Sequence, residues 1–129
     1  MSKGWTVPEY DRAMPRPWRL VPRIRIVYGD EIAFGPGKAD LLEAIVRTGK
    51  IRDAAESLDM SYMRAWKLIR TMNNAFRQPV VEASRGGSGR GGAAVTEFGR
   101  CVLDLYRAIE KKAARGASAE WGEMKRLLR

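Results

Sequence analysis

Apolar positions fall into two rhythms along the chain. Between Arg23 and Phe34, Ile24, Ile26 and Tyr28 alternate with Arg23, Arg25 and Val27, and Glu31-Ile32-Ala33-Phe34 follows Gly29-Asp30. Alternation on both sides of a two-residue Gly-Asp turn predicts a β-hairpin. Gly35-Pro36-Gly37 then reads as a break. From Lys38 to Thr48 the period lengthens. Leu41, Leu42, Ile45 and Val46 share one helical face, and Gly49 is the stop signal. Ile51, Ala54, Ala55 and Leu58 sit at i, i+3, i+4 and i+7, a short second helix. Leu58-Asp59-Met60 is a tight break. Ser61 is a good N-cap for a third helix, which carries Ala65, Leu68, Ile69 and Met72 at the same spacing. That helix is expected to end near Asn73-Asn74, with Pro79 just beyond.

Residues 80–84 and 93–95 read as strands, separated by RGGSGRGG at 85–92. Thr96 caps a long helix running from 97 to near 115, which Gly116 is expected to break. Trp121, Met124, Leu127 and Leu128 mark a last turn or short helix. Two short helices and a tight turn leading into a capped helix are a helix-turn-helix signal. The steep crossing of its helices needs small apolar contacts, which Ala54 and Ala55 supply, with Leu58, Met60, Ala65 and Leu68 as the plug. The turn position requires φ > 0, and Asp59 tolerates that region better than most residues. The fold class is therefore mainly α with a small β component: a winged helix-turn-helix with an N-terminal hairpin and a long C-terminal dimerisation helix. The chain divides into a Pro-rich arm at 1–21, the winged domain with its linker helix at 22–115, and a tail or short helix at 116–129.

Composition narrows the chemistry. Twenty-four Lys and Arg stand against 15 Asp and Glu, a formal charge of +9 and a pI near 10.2. That excess points to a polyanionic partner, nucleic acid before anionic membrane. The absence of His excludes a His metal site, a His general base and a Ser-His-Asp triad. One cysteine, Cys101, excludes an internal disulfide and a cysteine zinc cluster, and it reads as a small core residue. No catalytic residue, metal ligand or cofactor is assigned. No run is long and apolar enough to span a membrane, and the N-terminus lacks a signal peptide's apolar core, so a cytoplasmic location is expected.

The third helix carries the function. Projected at about 100° per residue, its outer face is Met63, Lys67, Arg70 and Asn74. Tyr62, Trp66 and Asn73 form one border, and Arg64 and Thr71 the other. From Ser61 to Gly92 there are six bases (Arg64, Lys67, Arg70, Arg77, Arg85, Arg90) and one acid, Glu82. A face kept basic only for solubility would usually mix Lys with Glu. Nucleic acid is the better reading. Gly87 to Gly92 formally matches G-x-G-x-x-G, but a strand follows where a dinucleotide site needs a helix. The Arg-Gly pairs also resemble RNA-binding tracts in one short copy. The third reading is the tip of a β-wing, with Arg85 and Arg90 reaching phosphate or a minor groove. In the last helix Phe98, Val102, Leu105 and Ile109 recur at spacings of 4, 3 and 4, a heptad-like seam. With Leu103 and Tyr106 on a second apolar line, that helix is expected to be buried on two sides and to dimerise.

The stretch from about Pro36 to Ala113, some 60% of the chain, resembles the N-terminal DNA-binding domain of the ModE family of bacterial molybdate-responsive repressors. Leu41-Leu42, Ala44-Ile45, Thr48-Gly49, Ala54-Ala55, Met60-Ser61-Tyr62, Ala65-Trp66 and Met72-Asn73 carry the likeness. Val81-Glu82, the Gly-rich tip, Val95-Thr96, Gly99, Leu105 and Tyr106 complete it. The shape also resembles the LysR-type winged helix. The resemblance implies a DNA-binding transcription regulator linked to molybdenum metabolism. The family's paired molybdate-binding domains have no counterpart here, so this chain alone is not expected to bind molybdate. The family's Ser before the second helix is replaced by Arg52, which implies a lost cap, offset in part by Asp53.

The expected partner is double-stranded DNA, bound as a homodimer at an inverted repeat. Ser61 and Tyr62 are expected at base edges or phosphate, and Arg64, Lys67 and Arg70 in the major groove or on its rims, with Met63 and Asn74 on the same face. Trp66 braces the helix. Lys50 and Arg52 grip phosphate, and Arg85, Ser88 and Arg90 belong to the wing. Two rivals stand beside this reading: a protein-interaction winged helix, which would carry acids on the third helix, and a sequence-blind architectural DNA binder. An enzyme has the least support, since no clustered pair of acids is visible.

Overall fold

A computed structural model describes residues 17–83 and 92–129. Strands β1 (Ile26–Tyr28) and β2 (Glu31–Phe34) pair antiparallel around Gly29-Asp30, with Gly29 in the left-handed region at φ 60°. A bulge between Ile26 and Val27 shifts the register and brings Ile26 opposite Phe34. Phe34 thereby enters the core while Ile26, Val27, Tyr28 and Ile32 stay exposed.

Helix α1 is Pro36–Thr48. The Gly-Pro-Gly run expected to break the chain instead opens this helix. Gly35 is its N-cap and Pro36 its first residue, where a missing N–H costs nothing and φ is preset. Gly49 closes it at φ 75°, its N–H donating to Ile45 O. Leu41, Leu42 and Ile45 are buried as expected. Val46, one turn on from Leu42, is 40% exposed at the edge of that face. Helix α2 (Ile51–Ser57) follows with Lys50 at the N-cap and no side-chain cap. Arg52 is its second residue, so the substitution expected to remove a cap falls inside the helix instead. Asp59 takes φ 57° in the turn, and the Met60 N–H donates back to Ala55 O at 3.0 Å. Ser61 Oγ then accepts the Arg64 N–H at 3.0 Å and starts α3 (Tyr62–Ala75).

Strands β3 (Val81–Ala83) and β4 (Ala93–Val95) pair antiparallel, Val81 opposite Val95. The pair extends to the α1–α2 loop through a bridge between Lys50 and Gly92. Thr96 Oγ1 accepts the Gly99 N–H at 2.9 Å and starts α4 (Glu97–Gly116). The helix ends at Gly116, as expected, and Ala117 joins it to α5 (Ser118–Leu127), a full helix of 10 residues. Three helices with a small β-wing and a long trailing helix make this a winged helix-turn-helix.

The core lies where α1, α2, α3, β2, the wing root and α4 meet: Phe34, Leu41, Leu42, Ile45, Ile51, Ile69, Met72, Val80 and Tyr106 are its largest fully buried side chains. Edge-to-face aromatic packing runs through it. Phe34 lies 5.0 Å from Tyr106 and 5.7 Å from Phe76, and Phe76 lies 6.3 Å from Phe98. Such pairs add about 0.5–1.5 kcal/mol each beyond area burial. The Tyr106 hydroxyl donates to Ile24 O at 2.7 Å, tying α4 to the hairpin. Arg107 joins α4 to α1 through Asp40 at 3.0 Å and Glu43, and to Glu110 at 2.9 Å within α4. Burial of Arg107 works against its charge, but those three carboxylates outweigh it and raise its pKa above the usual arginine value. Cys101 is exposed, not a core residue: the side of α4 that faces inward is Gly99, Leu103 and Tyr106.

Candidate nucleic-acid interface

Three turns of α3 present one polar face. Met63, Lys67, Arg70 and Asn74 are exposed on it, with Arg64 exposed beside them. Opposite, Ala65, Ile69 and Met72 are buried and Leu68 is partly buried against them, so the inward stripe fixes which side faces out. Among the described residues, every ion pair involves Arg107, and none occupies Arg64, Lys67 or Arg70. The helix itself contains no acid.

The N-terminal end of α3 is braced sideways. The Tyr62 ring meets Trp66 edge-on at 6.4 Å, and the Arg52 guanidinium lies 4.8 Å over the Tyr62 ring. Trp66 is partly buried against the core, the bracing role expected for it. Arg52 and Tyr62, expected separately at phosphate and base, thus come as one stacked unit spanning α2 and α3. A guanidinium over an aromatic face can still donate from its N–H groups. Lys50 is exposed beside the same unit, and its backbone bridges to Gly92 at the wing root. The Ser61 hydroxyl is engaged as the helix cap through one lone pair. Its O–H remains available to donate. Arg85, Ser88 and Arg90 lie outside the described residues.

Asn73 has a role that helical projection did not reveal. Its Oδ1 accepts the N–H groups of Val80 at 2.8 Å and Val81 at 3.3 Å, and its Nδ2 donates to Val81 O at 3.0 Å. Helix α3 is therefore pinned to the wing root. From the other side Thr96 donates to the same segment, its Oγ1 to Pro79 O at 2.7 Å and its N–H to Val80 O at 3.0 Å. The signal in the sequence was only an Asn next to a predicted helix end, where a side-chain amide often caps backbone groups.

Residues 38–100 match the family described as bacterial regulatory helix-turn-helix protein, lysR family. They are a LysR-type helix-turn-helix domain. Over 92 residues the chain is 46% identical to the molybdenum transport protein ModE of Azotobacter vinelandii, covering 71% of this chain and 34% of that protein. It is 43% identical over 76 residues to the molybdenum-pterin-binding protein MopA of Rhodobacter capsulatus, 59% of this chain and 29% of that one. It is 37% identical over 81 residues to the DNA-binding transcriptional dual regulator ModE of Escherichia coli K12, 60% of this chain and 31% of that one. The chain spans about a third of the length of these relatives.

Within the LysR-type domain, α2, the Asp59 turn and α3 are the helix-turn-helix proper, and β3–β4 is the wing. The matched stretch ends at Arg100, early in α4. Along α4, Phe98 and Val102 are half-buried against the domain's own core, whereas Leu105 is 61% exposed and Ile109 45% exposed. The expected seam is thus split: its first half serves this domain and its second half faces outward. No described helix is long and apolar enough to cross a membrane.

Proposed function

We propose that this chain is a DNA-binding transcription regulator of the ModE type, reading an inverted repeat as a homodimer and linked to molybdenum metabolism. The observation that carries the reading is the outer face of α3: basic, acid-free, unpaired among the described residues, and held on a LysR-type helix-turn-helix. Lys50 and Arg52 with Tyr62 flank that face and supply phosphate contacts around the base-reading helix; Arg85, Ser88 and Arg90, outside the described residues, are proposed as further phosphate contacts. The relatives' names support DNA as the ligand and molybdenum as the context. The outward-facing Leu105 and Ile109 support pairing of two copies through α4. A dimer places two α3 helices about 34 Å apart, in successive major grooves.

Genomic fragments selected by the wild-type protein test this directly. If each dimer neutralises about 6–10 phosphates, affinity falls roughly 10³- to 10⁵-fold between 50 and 200 mM salt. Arg70→Ala is expected to cost about 1–3 kcal/mol at particular base pairs if Arg70 reads a base. If it grips phosphate, the salt slope drops by about one for all sequences alike. A wild-type protein that binds random and selected duplexes equally is an architectural binder. An Arg70→Ala protein that binds as wild type puts the DNA face elsewhere.

A further inference from the structure

We propose that Asn73 is a positioning residue for DNA recognition: it sets the spacing between the recognition helix and the wing at which both engage one duplex. This rests on the DNA reading above. Among the described residues, Asn73 is the one α3 side chain that hydrogen-bonds outside its own helix and cap. Its three bonds all go to Val80 and Val81, so none of them stabilises the helix that carries it. Asn73 sits next to Asn74 and one turn beyond Arg70, both on the outer face.

The wing root has ties besides Asn73. Val80 is fully buried, Val81 pairs with Val95, and Thr96 holds Pro79 O and Val80 O from α4. Without Asn73, the link from α3 to the wing is apolar packing alone. Apolar burial is non-directional, whereas a hydrogen bond is restricted in length and angle. Packing keeps the two elements together, and the amide sets how far α3 slides or rolls against them. A wing displaced from that setting loses its hold on the duplex while α3 stays seated.

A double-mutant cycle tests this on the full chain, with fragments selected by the wild-type protein and thermal melts run in parallel. Arg90→Ala alone is expected to weaken binding several-fold and to lower the salt slope by about one. Asn73→Ala, measured well below its melting point, is expected to weaken binding and lower the slope by itself. In that background Arg90→Ala becomes silent, with a further loss of less than about two-fold. Additive effects, or an Asn73→Ala protein that binds as wild type, overturn the proposal, because a residue that only stabilises the fold leaves the slope and the wing contact intact. Should Asn73→Ala not fold, Asn73→Asp keeps both accepted bonds and loses the donated one. The same loss of additivity supports the proposal and additivity overturns it. A wild-type protein with no preference between selected and random duplexes brings down the DNA reading itself, whereas preference with an additive cycle removes only the role of Asn73.

Discussion

Two glycines near helix starts have opposite fates on gaining a methyl group. At Gly99 a Cβ would collide with the Val80 carbonyl oxygen and lie 2.9 Å from Val95 Cγ1, so the third residue of α4 must be glycine for the helix to sit against the wing root. At Gly37 a Cβ meets nothing within 4 Å. Gly99→Ala is therefore expected to destabilise by about 1–3 kcal/mol, the usual cost of overpacking. At about 4–8 °C per kcal/mol for a small domain, calorimetry should show a clear drop in Tm. Gly37→Ala should raise Tm slightly, since alanine is favoured by up to about 1 kcal/mol within a helix. Equal effects at the two sites would remove the steric account. These residues mark a limit of sequence reading. Thr96 and Ser61 were legible as caps because a cap is local. The reason for Gly99 was not, because it lies in a carbonyl 19 residues away along the chain.

The same division runs through the elements. The hairpin, the three helices of the helix-turn-helix, both wing strands and the start of α4 were legible, because apolar spacing and turn chemistry act over a few residues. Gly35-Pro36-Gly37 was misread as a break because Pro both interrupts and initiates helices, and only the docking of α1 on the core decides between the two. Val46 and Cys101 were assigned inward because periodicity gives the direction of an apolar stripe but not its width. Lys38 was passed over in α1. It is 8% exposed, with Nζ donating to Ile32 O, so that α1 grips the hairpin. Burial holds its pKa below the usual 10.5, with Glu31 pulling the other way. As pH climbs towards 10.5 the native chain sheds this proton before the unfolded chain does, and the unfolded state binds more protons. The stability contribution of Lys38 therefore rises with pH in that window and is constant below the native pKa. Urea unfolding of wild type and Lys38→Met should show their difference moving in favour of wild type just below pH 10.5. A difference that stays flat to pH 10.5 would place the ammonium in water.

At the scale of the whole molecule, the basic, acid-free face belongs to α3 and the outward Leu105 and Ile109 belong to α4. Isologous pairing through α4 brings two copies of that seam together. Sedimentation at micromolar concentration should then give a dimer, and Leu105→Asp a monomer with the same circular dichroism, because Leu105 contributes little to its own core. That monomer should lose preference for an inverted repeat while keeping weak affinity for a half-site. A wild-type monomer at every concentration would remove the dimer and the palindrome together. Site assignment was only partly legible at this scale. The basic face followed from one helix, but the stacking of Arg52 on Tyr62 and the joint at Asn73 depend on how neighbouring elements dock.

The joint at the wing root also keeps time. The Val80 amide hydrogen is buried, and its acceptor is a side chain of another element rather than a backbone carbonyl of its own. Deuterium can replace it only when the wing root parts from α3, an opening smaller than unfolding of either element. Its exchange rate therefore measures how often the wing lifts from the recognition helix, residue by residue and without DNA present. Bound DNA that spans both elements should slow that one amide more than its neighbours in the middle of α3.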